Sequence, residues 1–109
     1  MKLLNILIVE DDELVALSLR HTIKKHFPCK HVDMVLDGIE AWKKIRVNHY
    51  DLIISDWNMP HKTGAELLAD VRTLERSKGT PFLMLTGRAD RQSVATAVQS
   101  GANGSCQTF

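Results

Sequence analysis

The sequence has little cysteine, no excess of either charge and no long apolar run. Its two cysteines, Cys29 and Cys106, stand alone without metal-type spacing, which argues against a thiolate site and predicts free thiols in a reducing compartment. Lys and Arg number 14 against 13 Asp and Glu, a balance that gives no support to direct nucleic-acid binding or to docking on an anionic membrane. No apolar stretch approaches the roughly 20 residues of a membrane span. Met1 to Asn5 runs directly into a strand pattern rather than a signal peptide, so a cytoplasmic location is expected. His21, His26, His31, His49 and His61 are scattered and read as surface or helix-end residues, not as a metal site. Linkers, repeats and low-complexity segments are also missing. At 109 residues, 44% apolar and 25% charged, the chain reads as one globular domain over residues 1–109.

What is present is a pair of apolar runs that each end in acid. Leu52-Ile53-Ile54 leads through Ser55 to Asp56, followed by the Pro-bounded loop Trp57-Asn58-Met59-Pro60. Leu3 to Val9 is apolar apart from Asn5 and ends in Glu10-Asp11-Asp12. Continuous apolar runs of this length suit strands buried on both sheet faces, and the carboxyl ends of such strands are where α/β proteins place their chemistry. Carboxylates brought together from two strand tips repel unless a cation sits among them, and a hard divalent ion with oxygen ligands suits that role. An acidic Mg²⁺ pocket around Asp56 is therefore expected.

Strand-like and helix-period runs alternate along the chain, the pattern of a doubly wound parallel sheet with helices on both faces. Asp12 is placed as the cap of a first helix reaching Phe27, with Leu14, Leu17, Ile23 and Phe27 near its buried face and Arg20, Lys24 and Lys25 outward. A second strand is predicted over His31–Leu36. Asp37-Gly38 then makes a turn, and Ile39, Ala41, Trp42 and Ile45 supply the buried side of a second helix. The stretch ending at Asp56 is the third strand. A third helix starts at Lys62 or Thr63, with Gly64, Leu67, Leu68, Val71 and Leu74 inward, and Gly79-Thr80-Pro81 breaks it. Phe82–Leu85 is a fourth strand ending at Thr86-Gly87. Asp90 caps a fourth helix that ends at Gly101, which leaves residues 102–109 for a fifth strand. Five strands and four helices leave the last helix of the pattern missing.

The motifs Ile6–Asp12, Asp37-Gly38, Ser55–Pro60 with Gly64, Leu85-Thr86-Gly87 and Gly101–Gly104 occur in an order and spacing that resembles the receiver domain of bacterial response regulators. The resemblance implies a flavodoxin-like five-stranded sheet of order 2-1-3-4-5, here C-terminally incomplete. It implies that Asp56 accepts a phosphoryl group from a histidine kinase or phosphotransfer protein. Glu10 and Asp11 become the acidic pair. Asp11, Asp56 and the backbone carbonyl of Asn58 hold Mg²⁺, and Thr86 is the switch hydroxyl drawn toward the phosphoryl oxygens. A carboxylate is a weak nucleophile toward an anion, so transfer needs in-line placement and neutralised phosphoryl oxygens rather than a strong base. Gly87 leaves room for the phosphoryl group to approach the backbone. The resemblance also implies a downstream output protein or domain.

The tail departs from that pattern. Ser105 stands where the family carries an aromatic switch residue, and Thr108 where it carries a lysine. Some codons for Gly104 to Phe109, read one base later, yield Val-His-Val-Lys-Pro-Phe, so a frameshifted or prematurely ended product of a longer gene would account for both departures. An uncovered sheet face predicts self-association as a homodimer or by strand exchange. Two other functions compete with the phosphoacceptor switch. A Mg²⁺-dependent hydrolase with an Asp nucleophile needs a second Asp two residues on, where Asn58 stands. A non-phosphorylated interaction module that keeps the acid pocket without switching fits Thr108 in the lysine position. The phosphoacceptor reading is of a signalling module, not an enzyme.

Overall fold

The computed structural model describes residues 3–56, 61–85 and 106–108. Strands β1 (Leu4–Val9), β2 (Cys29–Val35), β3 (Leu52–Asp56), β4 (Phe82–Leu85) and β5 (Cys106–Thr108) form one sheet in the order β2-β1-β3-β4-β5. The first four are parallel. Helices α1 (Glu13–His26), α2 (Gly38–Val47) and α3 (Gly64–Val71) occupy the crossovers. The chain steps outward from β1 to β2 and then back across β1 to β3 and β4. Right-handed crossovers therefore put α1 on one face and α2 with α3 on the other.

Strand alternation divides the core accordingly. Ile6, Ile8, Ile54 and Leu83 face α1 and pack with Ala16, Leu19 and Ile23. Leu7, Val9, Ile53, Phe82 and Met84 point the opposite way and meet Ala41, Ile45, Leu67 and Val71. With Ile6 to Val9 at most 1% exposed, β1 is dry on both faces, as its unbroken apolar run requires.

The helix starts follow their capping residues. Asp12 accepts from the Leu14 and Val15 amides at 3.0 and 3.3 Å, and Asp37 accepts from the Glu40 amide at 2.8 Å. Thr63 and Glu66 close a reciprocal capping box at 3.0 and 3.2 Å. Three inward assignments are corrected. Leu14 is 78% exposed, and Leu17 and Ile39 are each 43% exposed. At 3.6 residues per turn Leu14 lies roughly 160° around the helix from Ala16, and Ile39 the same angle from Ala41. The small residues Ala16 and Ala41, in phase with Leu19, Ile23 and Ile45, are the ones that let each helix approach the sheet.

Helix α3 ends at Val71, before the predicted Leu74, which is half-buried beyond it. The Asp70 carbonyl accepts from both the amide and the hydroxyl of Thr73, and Arg72 Nη1 reaches the carbonyls of Ser77 and Thr80 at 3.3 and 2.8 Å. The Ser77 hydroxyl donates to the Val71 carbonyl at 2.7 Å, so side chains of Thr73 and Ser77 take over the last helical carbonyls while Arg72 ties down the segment that follows. Strand β2 starts at Cys29, two residues before the predicted His31, and Leu36 lies beyond its end. The five histidines are exposed, as expected. The predicted fourth helix lies outside the described residues.

The fifth strand occupies its predicted place at the sheet edge but runs antiparallel to β4, with Cys106 opposite Leu85 and Thr108 opposite Leu83. A parallel partner must be carried back to the far edge of the sheet by a crossover. An antiparallel one begins at the edge where β4 stops, and this register has it begin there. Among the described residues no helix is long and apolar enough to cross a membrane.

Candidate metal centre

Register brings the two acidic strand tips to the same level. Val9 pairs with Ser55, so Glu10 and Asp56 are the next residues along adjacent parallel strands. That register is pinned at the opposite edge, where the Asn5 amide donates to Asp51 Oδ2 at 2.8 Å and the Asp51 amide donates to the Asn5 carbonyl at 2.7 Å. As a result, Glu10, Asp11 and Asp56 each present a carboxylate oxygen within 4.8 Å of the other two. Glu10 is 2% exposed and Asp56 4%, while Asp11 is half-buried.

Local bonds aim these groups. The Glu10 amide donates to the Val35 carbonyl at 3.1 Å, tying the exit of β1 to the neighbouring strand. Glu10 Oε1 accepts from the Asp12 amide at 3.1 Å, which turns the carboxylate toward the start of α1. The helix N-terminus there carries partial positive charge that favours nearby acids. Ser55 Oγ donates to the Asp56 carbonyl at 2.9 Å inside the core. Three acids gathered in a largely dry space carry a desolvation and repulsion cost that a cation offsets.

The donor set fits Mg²⁺, a hard ion bound through oxygen that takes one or two carboxylates and keeps several waters. Oxygens on opposite sides of one such ion stand about 4.2 Å apart. The observed cluster is close to that spacing, so small side-chain adjustments are enough to share one ion.

The structure therefore brings together Glu10, Asp11 and Asp56. Asn58, Thr86, Gly87 and Ser105 lie outside the described residues. Thr108 is placed by its backbone: it is opposite Leu83, which pairs with Ile54, two residues below Asp56 along β3. The reversed strand thus carries its far end away from the acidic tips.

Sequence reasoning missed how the chain beyond the site is held. Asp37 was legible only as a turn residue, yet its Oδ2 lies 3.4 Å from His61 Nδ1. The Glu40 amide and the His61 side chain both hold the Asp37 carboxyl below the usual range, the amide bond being the larger effect. A cleft of about 380 Å³ also exists, but at the opposite edge, lined by residues such as His49, Arg76 and Pro81. Beside it the Tyr50 hydroxyl donates to Asp33 at 2.7 Å; burial, and then that carboxylate, push the phenol above its ordinary range.

The model of the response regulator receiver domain matches residues 6–107. The chemotaxis protein CheY of Pseudomonas aeruginosa is 43% identical over 68 residues, 62% of this chain and 55% of that protein. CheY-3 of Vibrio cholerae is 38% identical over the same length, 52% of its own. The matched stretch thus spans little more than half of either curated relative. Among solved structures, CheY4 of Vibrio cholerae superposes with a TM-score of 0.73 at 33% identity, covering 94% of this chain and 84% of that one. The receiver domain of a sensor histidine kinase from Pseudomonas aeruginosa, solved with a magnesium ion coordinated in its active-site cleft, gives 0.71 at 25% identity, covering 94% and 82%.

Proposed function

The chain belongs to the response regulator receiver domain family of two-component signalling, and from that premise we propose that it is a Mg²⁺-dependent phosphoacceptor in which Asp56 receives the phosphoryl group. The observation that carries this reading is the meeting of Glu10, Asp11 and Asp56 at the tips of two adjacent strands. Asp56 ends β3, which sets its carboxylate at the carboxyl edge of the sheet beside the other two acids. Glu10 and Asp11 hold negative charge beside it, and Asp11 with Asp56 and the Asn58 carbonyl would ligate the ion. When bound, the ion neutralises the phosphoryl oxygens and lets an anionic nucleophile approach an anionic group.

The donor is a phosphohistidine on a kinase or phosphotransfer protein. An oxygen of Asp56 attacks phosphorus in line, the new O–P bond forms as the P–N bond breaks, and the electron pair leaves with the imidazole nitrogen, which takes up a proton. Asp56 then carries added charge and acceptor oxygens, which Thr86 would meet and Gly87 would admit. The product is a signal to an output partner rather than a released compound.

Incubation of the protein with acetyl phosphate and Mg²⁺, followed by intact-mass measurement, tests this. One phosphoryl group should add to the native chain, and none to Asp56→Asn or in the presence of EDTA. Continued release of inorganic phosphate over many cycles would point instead to a hydrolase, and no addition at all would end the reading.

The placement of Thr108 opposite Leu83, level with Ile54 and two strands away from β3, favours a second reading: metal binding and phosphorylation persist without a completed switch. A phosphorylated protein whose backbone amide spectrum is unchanged beyond the site would support it.

A further inference from the structure

The chain leaving Asp56 is next described at His61 and Lys62, and there it is gripped from two sides. His61 has φ 68°, in the left-handed region that glycine ordinarily occupies. Its Nδ1 stands 3.4 Å from Asp37 Oδ2, while the other oxygen of Asp37 caps α2. One residue on, the Lys62 backbone lies against Gly38 so closely that a Cβ on Gly38 would stand 2.5 Å from the Lys62 carbonyl oxygen and 2.6 Å from its Cβ. The Lys62 ammonium pairs with Asp70 of α3.

Two residue choices at this contact each oppose folding stability. Glycine in the first turn of α2 is a poorer helix former than alanine, and histidine at positive φ is strained where glycine would not be. They face each other, and strain held at one place by surrounding structure marks a position where geometry matters.

We infer that Asp37, Gly38, His61 and Lys62 form a clamp that fixes the chain where it enters α3, and that Mg²⁺ binding at Glu10, Asp11 and Asp56 depends on it. The inference rests on the metal reading above. Asp56 fixes one end of a four-residue span and the clamp fixes the other. A displacement of the Lys62 carbonyl to admit a methyl group is therefore felt at Asp56. The four residues touch neither the ion nor the phosphoryl group; they are positioning residues.

The test is titration of Mg²⁺ alone into the 109-residue chain and its Gly38→Ala and His61→Asn variants, followed by tryptophan fluorescence, with melting recorded for each. Groups that orient metal ligands typically govern affinity by 10-fold or more. Gly38→Ala should weaken Mg²⁺ binding about 10-fold although alanine is the better helix former. His61→Asn keeps a residue that tolerates positive φ, loses the contact to Asp37, and should weaken binding severalfold. If Gly38→Ala does not fold, His61→Asn decides the matter. Native protein that binds Mg²⁺ alongside folded variants that bind it within twofold would overturn the clamp alone. Native protein that takes up no Mg²⁺ would overturn the metal reading and the clamp with it.

Discussion

Replacing Asp56 by asparagine should stabilise the metal-free protein while removing its response to Mg²⁺. Each pair among Glu10, Asp11 and Asp56 approaches within 4.8 Å, and at that separation an effective dielectric of about 20 gives a repulsion of about 3.5 kcal/mol per pair. The substitution removes two of the three pairs. Solvent that reaches the half-buried Asp11 screens part of that repulsion. The dipole of α1 offsets part of the rest. A net gain of about 2 kcal/mol in EDTA is expected. At roughly 4–8 °C per kcal/mol for a chain of this size, calorimetry resolves it easily. Adding Mg²⁺ at 100 times its dissociation constant should then raise the native protein by about 2.7 kcal/mol and the variant far less. A variant less stable than native in EDTA, or one that gains equally from Mg²⁺, would refute the reasoning that these three acids share a space built for a cation.

Ile54, fully buried between β1 and β4, should cost about 2–5 kcal/mol on change to alanine, measured by urea unfolding. The carboxyls of Asp37 and Glu66 are held below their ordinary range by helix-cap amides, so their contribution is present above about pH 4 and lost as pH falls through the depressed folded values. Melting between pH 6 and pH 3 should show that loss, with a shallower acid limb in Asp37→Asn. Tyr50 is the one tyrosine of the chain, so ultraviolet absorbance reports its phenolate alone. Its raised folded value means stability is kept below about pH 10 and lost as pH rises further, and phenolate formation near pH 10 in folded protein would contradict the buried bond to Asp33.

The strands and helix starts were legible because each depends on a local signal. Ile6 to Val9 and Leu52 to Ile54 can be buried on two faces only as strands of a covered sheet, and Asp12, Asp37 and Thr63 cap whatever helix follows them. Helix faces were less legible. Leucines at 14 and 17 suggested an inner stripe, but Ala16 sets the phase because close packing against the sheet selects a small residue over a large one. The site was legible as acids at two strand ends, and Glu10, Asp11 and Asp56 do meet. The contact of Gly38 with Lys62 was not, since it joins segments 24 residues apart by number (62 less 38) through backbone packing that no side-chain pattern announces. The direction of β5 was likewise beyond a pattern of three residues, which suits either pairing.

The proposed function depends most on one divalent ion among those strand tips, and anomalous diffraction from crystals of the protein grown with Mn²⁺ in place of Mg²⁺ tests it directly. A single peak at bonding distance from the carboxylates of Asp11 and Asp56, with Glu10 beside it, is the predicted result. A map with no peak there, or with its strongest peak at another part of the surface, would contradict it.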